Sequence, residues 1–139
     1  MNEGGIVSSD AEARGRIDSL HHRVGGEPFF VALVERFYEM VEGDPELRPM
    51  YPADLAPGKG NLAAFLAQYW GGPPHYSERR GHPRLRMRHF GFAIGQRERD
   101  AWVRHMTAAV TASDIAPADA EAMIDYFESA ATMVMNRRA

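Results

Sequence analysis

Between Pro28 and Gly43 the apolar residues Phe30, Leu33, Val34, Phe37, Tyr38 and Val41 recur at the i, i+3, i+4, i+7 spacing of one helix face. This stripe constrains the fold more than any other stretch, because an amphipathic helix owes its stability to packing that face against other elements. Pro28 suits the first turn, and Gly43 ends the run. Further helical patterns surround it. A short first helix is predicted from about Asp10 to His22, ended by Gly25-Gly26. Asp44-Pro45 reads as the cap of one helical turn that ends near Pro49. A connection from Pro52 to Gly60 precedes a helix carrying Leu62, Phe65, Leu66 and Tyr69 on one face, stopped by Gly71-Gly72-Pro73-Pro74. Residues 75–92 show no period and are read as irregular.

Two more helices close the chain. One runs from about Gln96 to Ala112 with Trp102, Met106, Ala109 and Val110 inward. The last starts near Pro117 and turns Met123, Tyr126, Phe127, Ala130, Met133 and Val134 inward. No convincing strand run is present. The predicted class is all-α, with four main helices packed pairwise.

Composition excludes several function classes. The chain has 139 residues, enough for one domain with its own core. A net charge of -3 carries no global basic field for nucleic acid. The absence of cysteine excludes disulfides, thiolate haem ligation, iron–sulfur clusters and thiol catalysis. No apolar run approaches the ~20 residues that span a bilayer. The opening segment MNEGGIVSSDAEARGR lacks a signal-peptide core. A cytoplasmic protein is expected.

Among six histidines, His89 stands out. It closes a segment bearing Arg79, Arg80, Arg84, Arg86 and Arg88, and is followed by Phe90, Gly91 and Phe92. An imidazole beside aromatic rings suits a haem, which needs an apolar slot and an axial nitrogen. The arginines suit its propionates through charge-assisted hydrogen bonds; otherwise they form a solvated basic loop. Tyr38 and Trp102, on inward helix faces, form a second group with Tyr51. A buried phenol and an indole N–H stand either as core aromatics or as donors to a bound diatomic gas.

Tyr69-Trp70-Gly71-Gly72-Pro73, Tyr76-Ser77 and Arg80-Gly81-His82-Pro83-Arg84-Leu85-Arg86-Met87-Arg88-His89 together resemble the signature of the group II truncated haemoglobins. Arg36-Phe37-Tyr38, Met50-Tyr51-Pro52 and Asp100-Ala101-Trp102 extend the likeness across roughly Val24 to Met135. The resemblance implies a two-over-two helical sandwich around haem b over residues 23–139, with residues 1–22 as an N-terminal extension of unassigned role. It implies His89 as iron ligand, Tyr38, Tyr51 and Trp102 as distal donors, and Leu62, Phe65, Leu66 and Tyr69 as pocket lining. Arg88 and Tyr76 would reach the propionates, with Met87 and Phe92 also against the haem and the His89 segment as a loop and short helix. Gly58 falls where the family places its small distal gate residue, on a connection about one residue short. Asn61 stands where many relatives carry a basic residue.

The implied function is binding of oxygen, nitric oxide or carbon monoxide, with nitric oxide or peroxide detoxification beside it. A donor-rich pocket slows ligand release, which disfavours bulk oxygen transport. An unknown reductase and a homodimer are the expected partners, with neither nucleic acid nor membrane. Two other classes compete: a non-haem metal site built from His75, His82 and His89, and a cofactor-free helical interaction module.

Overall fold

The computed structural model of the chain describes residues 18–89 and 91–137. Helix α1 (Leu20–Arg23) is capped by Ser19, whose hydroxyl accepts from the His22 amide at 3.2 Å. The predicted first helix therefore lies largely outside the described residues, and its described part runs one residue past His22. Leu20 is buried in the same core as the helices that follow.

Helix α2 (Glu27–Glu42) starts at Gly26, whose φ of 80° lies in the left-handed region that favours glycine. All six residues of its predicted stripe are buried. Each such side chain contributes roughly 1.5–3 kcal/mol of burial. A 3-10 turn (Arg48–Met50) follows, after Asp44 Oδ1 accepts from the Glu46 amide at 2.8 Å.

Helix α3 (Ala56–Tyr69) corrects the sequence reading. It begins five residues before Asn61, inside the stretch expected to be a connection. Pro57 occupies its first turn, where the missing N–H costs nothing, and Asp54 Oδ1 accepts from the Ala56 amide at 3.1 Å. Gly58 and Gly60 thus lie within the helix rather than before it. Ala63, Ala64, Phe65, Leu66 and Ala67 are all buried, so α3 passes through the interior and does not lie on it with one face.

Residues 75–92 are also more ordered than their lack of period implied. They contain α4 (His75–Arg80) and α5 (Leu85–Arg88). Helices this short are not held by propensity. Gln68 Nε2 donates to Ser77 Oγ at 2.7 Å, and the Ser77 amide donates to Gln68 Oε1 at 2.9 Å, fastening α4 to α3.

Helix α6 (Gln96–Thr111) starts where the Glu98 carboxylate accepts from the Gly95 amide at 2.8 Å. Helix α7 (Pro117–Met133) buries Met123, Phe127 and Ala131. Met133, expected inward, is 46% exposed. On this last turn Ala130, Ala131 and Val134 take the cavity side, which turns Met133 outward. Helix α2 packs on α3, α6 on α7, and α2 also on α6. Among the described residues there is no strand and no helix long and apolar enough to cross a membrane.

Candidate functional site

The helices line a cavity of about 340 Å³ that is open to solvent on one side. Its lining combines Tyr38 of α2, Gly58, Asn61, Leu62, Phe65 and Leu66 of α3, Tyr76 of α4, and Trp102 of α6. Tyr51 enters from the loop after the 3-10 turn, and Phe127, Ala130, Ala131 and Val134 close it from α7. Leu85, Arg88, His89, Phe92 and Ile94 complete the wall. The size falls within the range of small-molecule and cofactor pockets.

His89 follows directly on α5. Its Nδ1 lies 2.6 Å from the Leu85 carbonyl oxygen, one helical turn back. A carbonyl only accepts, so Nδ1 donates, and in the neutral ring Nε2 carries the lone pair. This is how an outer hydrogen bond orients a metal-ligating imidazole. Arg88 is held by the same segment. Its Nε donates to the Pro83 carbonyl at 2.7 Å and its Nη2 to the Arg80 carbonyl at 2.9 Å, and its guanidinium lies 5.9 Å from the Tyr76 ring centre. Arg84, inside that bracket, has φ of 47°, a conformation rare for residues other than glycine.

Tyr38, Tyr51 and Trp102 bring O–H and N–H donors to the cavity wall. The Tyr38 and Tyr51 rings meet edge-on at 5.6 Å, and Trp102 packs on Phe37 at 5.3 Å. Burial pushes the Tyr38 phenol above its usual range. Burial raises Tyr51 as well, aided by the neighbouring Tyr38, while a hydrogen bond from the Trp102 indole acts against it. Both phenols are therefore neutral near pH 7 and able to donate. The Tyr38 hydroxyl lies over Gly58, where an added Cβ would come within 2.8 Å of it.

Two residues expected at the pocket are not in its wall. Tyr69 ends α3 and is 52% exposed; its ring is taken up by Tyr126 at 4.1 Å between centroids. Met87 is 52% exposed, because within the single turn of α5 Leu85, Arg88 and the following His89 occupy the cavity side. Sequence reasoning also missed Ile94, as well as Asn136, which grips the segment after His89 through three side-chain hydrogen bonds. No local motif marks either residue. Among the described residues no group of three or more histidines and carboxylates could hold a metal ion, so His75, His82 and His89 do not form a non-haem site. His75 is exposed and faces Glu78 at 3.2 Å.

A flat apolar macrocycle with two carboxylates needs an apolar slot, one axial nitrogen, and polar groups at its edge. The cavity supplies aromatic and aliphatic walls, an imidazole with Nε2 available, and Arg88 and Asn61 in the lining. The residues present fit a haem.

The bacterial-like globin family model matches residues 19–136. The chain belongs to the bacterial-like globins, and among them to the group II truncated haemoglobins. The globin is similar to the haemoglobin of the thermophilic phototrophic bacterium Chloroflexus aurantiacus, with 52% identity and a TM-score of 0.84 over 86% of this chain and 98% of that one. It is similar also to the group II truncated haemoglobin of Bacillus anthracis, with 32% identity and a TM-score of 0.84 over 88% of this chain and 99% of that one. The group 2 truncated haemoglobin YjbI of Bacillus subtilis is 45% identical over 85 residues, which span 61% of this chain and 64% of that protein. The fold is accordingly the two-over-two helical sandwich. Membership in the globins implies a haem cofactor and a diatomic gas as its ligand.

Proposed function

We propose that this globin binds haem b with His89 as the protein ligand of the iron, and holds oxygen beside Tyr38, Tyr51 and Trp102. The observation that carries the reading is the 2.6 Å hydrogen bond from His89 Nδ1 to the Leu85 carbonyl, which leaves Nε2 as a lone-pair donor in the cavity wall. When bound, haem supplies an iron that takes up a diatomic gas and exchanges electrons. The chain's own residues do the rest. His89 would offer its Nε2 to the iron. Arg88 and Tyr76, both in the cavity wall, would hold the carboxylates of the macrocycle. Leu62, Phe65 and Leu66 exclude water, and neutral phenols and the indole present N–H and O–H groups to a ligand that gains negative charge.

Such a donor set favours retention of oxygen over rapid exchange, which points to redox chemistry rather than bulk transport. The reaction class that fits is oxidation of nitric oxide: one nitric oxide, one oxygen and one electron give one nitrate. The electron comes from a reductase partner, and we place the protein in the cytoplasm on this reading. Peroxide reduction in the same pocket is the second reading, supported by the same donors.

Haem reconstitution followed by absorbance in the Soret region tests the cofactor. His89→Gly tests the ligand. The variant is expected to hold haem weakly and to recover the parent spectrum when imidazole is added. Uptake and spectrum unchanged in His89→Gly would overturn the assignment. Nitric oxide consumption by the reduced, oxygenated protein, with stoichiometric nitrate, tests the reaction; consumption without nitrate overturns it.

A further inference from the structure

The segment between α5 and α6 carries His89 and has no helix of its own over residues 91–95. It is fastened from far along the chain. Asn136, just past α7, donates through Nδ2 to the His89 carbonyl at 3.2 Å and to the Phe92 carbonyl at 2.7 Å. Its Oδ1 accepts from the Ile94 amide at 2.9 Å. The Ile94 carbonyl in turn accepts from the amides of Asn136 at 2.9 Å and Arg137 at 3.1 Å. An asparagine side chain has two N–H donors and one acceptor oxygen, and here each kind is used. Aspartate would lack the donors, and serine or threonine would offer only one.

His89 is therefore held at two points. Its ring is set by Leu85, and its main chain is set by Asn136. Ala130, Ala131 and Val134 of α7 line the same cavity, so Asn136 ties the His89 segment to the helix that forms another part of the wall. We propose that Asn136 is a positioning residue for the axial histidine: its amide fixes the seat of the His89 imidazole and so governs how firmly haem is retained and how His89 bonds to the iron. The proposal rests on the reading of His89 as the iron ligand. A residue that merely closes a loop would affect melting but would leave the iron–histidine bond untouched.

The test uses the haem-loaded full chain and three readouts. These are the rate of haem transfer to excess apomyoglobin, the iron–imidazole stretching band of the ferrous protein by resonance Raman, and hydrogen exchange at the Ile94 amide. Asn136→Ala is expected to lose haem about tenfold faster, equivalent to ~1.4 kcal/mol, to shift the iron–imidazole band, and to speed exchange at Ile94. Asn136→Asp keeps the acceptor for Ile94 and removes the donors to His89 and Phe92. It is expected to retain Ile94 protection while still losing haem faster with a shifted band. Gln68→Ala, which breaks a comparable side-chain bridge to Ser77, should leave the band in place. Parent haem retention or an unmoved band in both Asn136 variants overturns the proposal, whatever Ile94 does. A parent protein without an iron–imidazole band overturns instead the assignment of His89. Should Asn136→Ala fail to fold, Asn136→Asp decides alone.

Discussion

The hydroxyl of Tyr38 and the Cα of Gly58 approach so closely that a methyl group on Gly58 would sit 2.8 Å from the phenol oxygen. Helix α3 thus passes the tip of a side chain from α2 at a position that carries none. The chain holds a residue of low helix propensity where the cavity needs room for a hydroxyl.

Gly58→Ala should therefore separate stability from ligand chemistry. Alanine gains roughly 0.5–1 kcal/mol of helix propensity, and the contact it makes is with the end of a side chain that can turn aside. The melting midpoint should hold or rise by a few degrees. Oxygen release, measured by stopped flow, should change by about tenfold as the Tyr38 hydroxyl leaves its place. An unchanged release rate would show that the Tyr38 hydroxyl does not touch the ligand.

Removing the donors themselves is the stronger perturbation. A hydrogen bond to a charged acceptor contributes roughly 1.5–3 kcal/mol, so the loss of one should speed oxygen release by about 10- to 150-fold. Trp102→Phe keeps a ring against Phe37 and Phe127 and removes only the N–H. Tyr38→Phe should show a smaller effect, because Tyr51 lies edge-on beside it at 5.6 Å and can take its place. Release of carbon monoxide, which carries less charge, should respond less. A double variant that releases oxygen at the parent rate would refute donor stabilisation.

The phenols also set an alkaline limit. Burial raises both Tyr38 and Tyr51 above the usual 10.0, so each keeps its proton in the fold where an unfolded chain would ionise. Oxygen release should be flat from pH 7 to about 10. The unfolded state binds fewer protons above that value, so stability should fall as the pH rises past it. A break in the release rate near pH 8 would contradict neutral donors.

Asp44 adds an acid-sensitive contribution to stability. Its Oδ2 lies 2.6 Å from His105 Nε2, and that hydrogen bond, followed by the one from the Glu46 amide, holds the carboxyl below its usual 3.8. A depressed carboxylate stabilises the fold at every pH above its unfolded value and loses this contribution as pH falls through the folded one. The stability difference between the parent and Asp44→Asn should be constant from pH 7 to about 5 and close below about pH 4. A difference that persists unchanged below about pH 3 would contradict a depressed Asp44 carboxyl.

Much of this architecture is legible in the sequence. The stripe Phe30 to Val41 is buried residue for residue, because large apolar side chains at helical spacing leave only one way to be covered. Alanines are silent in such a pattern. Ala63, Ala64, Ala67 and Ala131 are buried because neighbouring helices come close, which no periodicity of large residues announces. Pro57, Gly58 and Gly60 read as loop, yet proline is harmless in a first turn and the Tyr38 contact gives Gly58 a reason to be there. A contiguous motif singles out His89 as a candidate. None singles out Asn136, since its partners lie 42 to 47 residues away and only the packing of α7 brings them together.

The two tryptophans of the chain flank one ring: Trp70 and Trp102 lie 5.6 and 5.7 Å from Phe127. Trp102 lines the cavity, and Trp70 stands one ring away from it. Excitation of either indole is then within easy transfer distance of any strongly absorbing pigment the cavity holds. Emission of the empty protein should be bright and that of the loaded protein dark. The chain thus carries its own optical gauge of occupancy, readable in dilute solution without labels and fast enough to time the arrival of its cofactor.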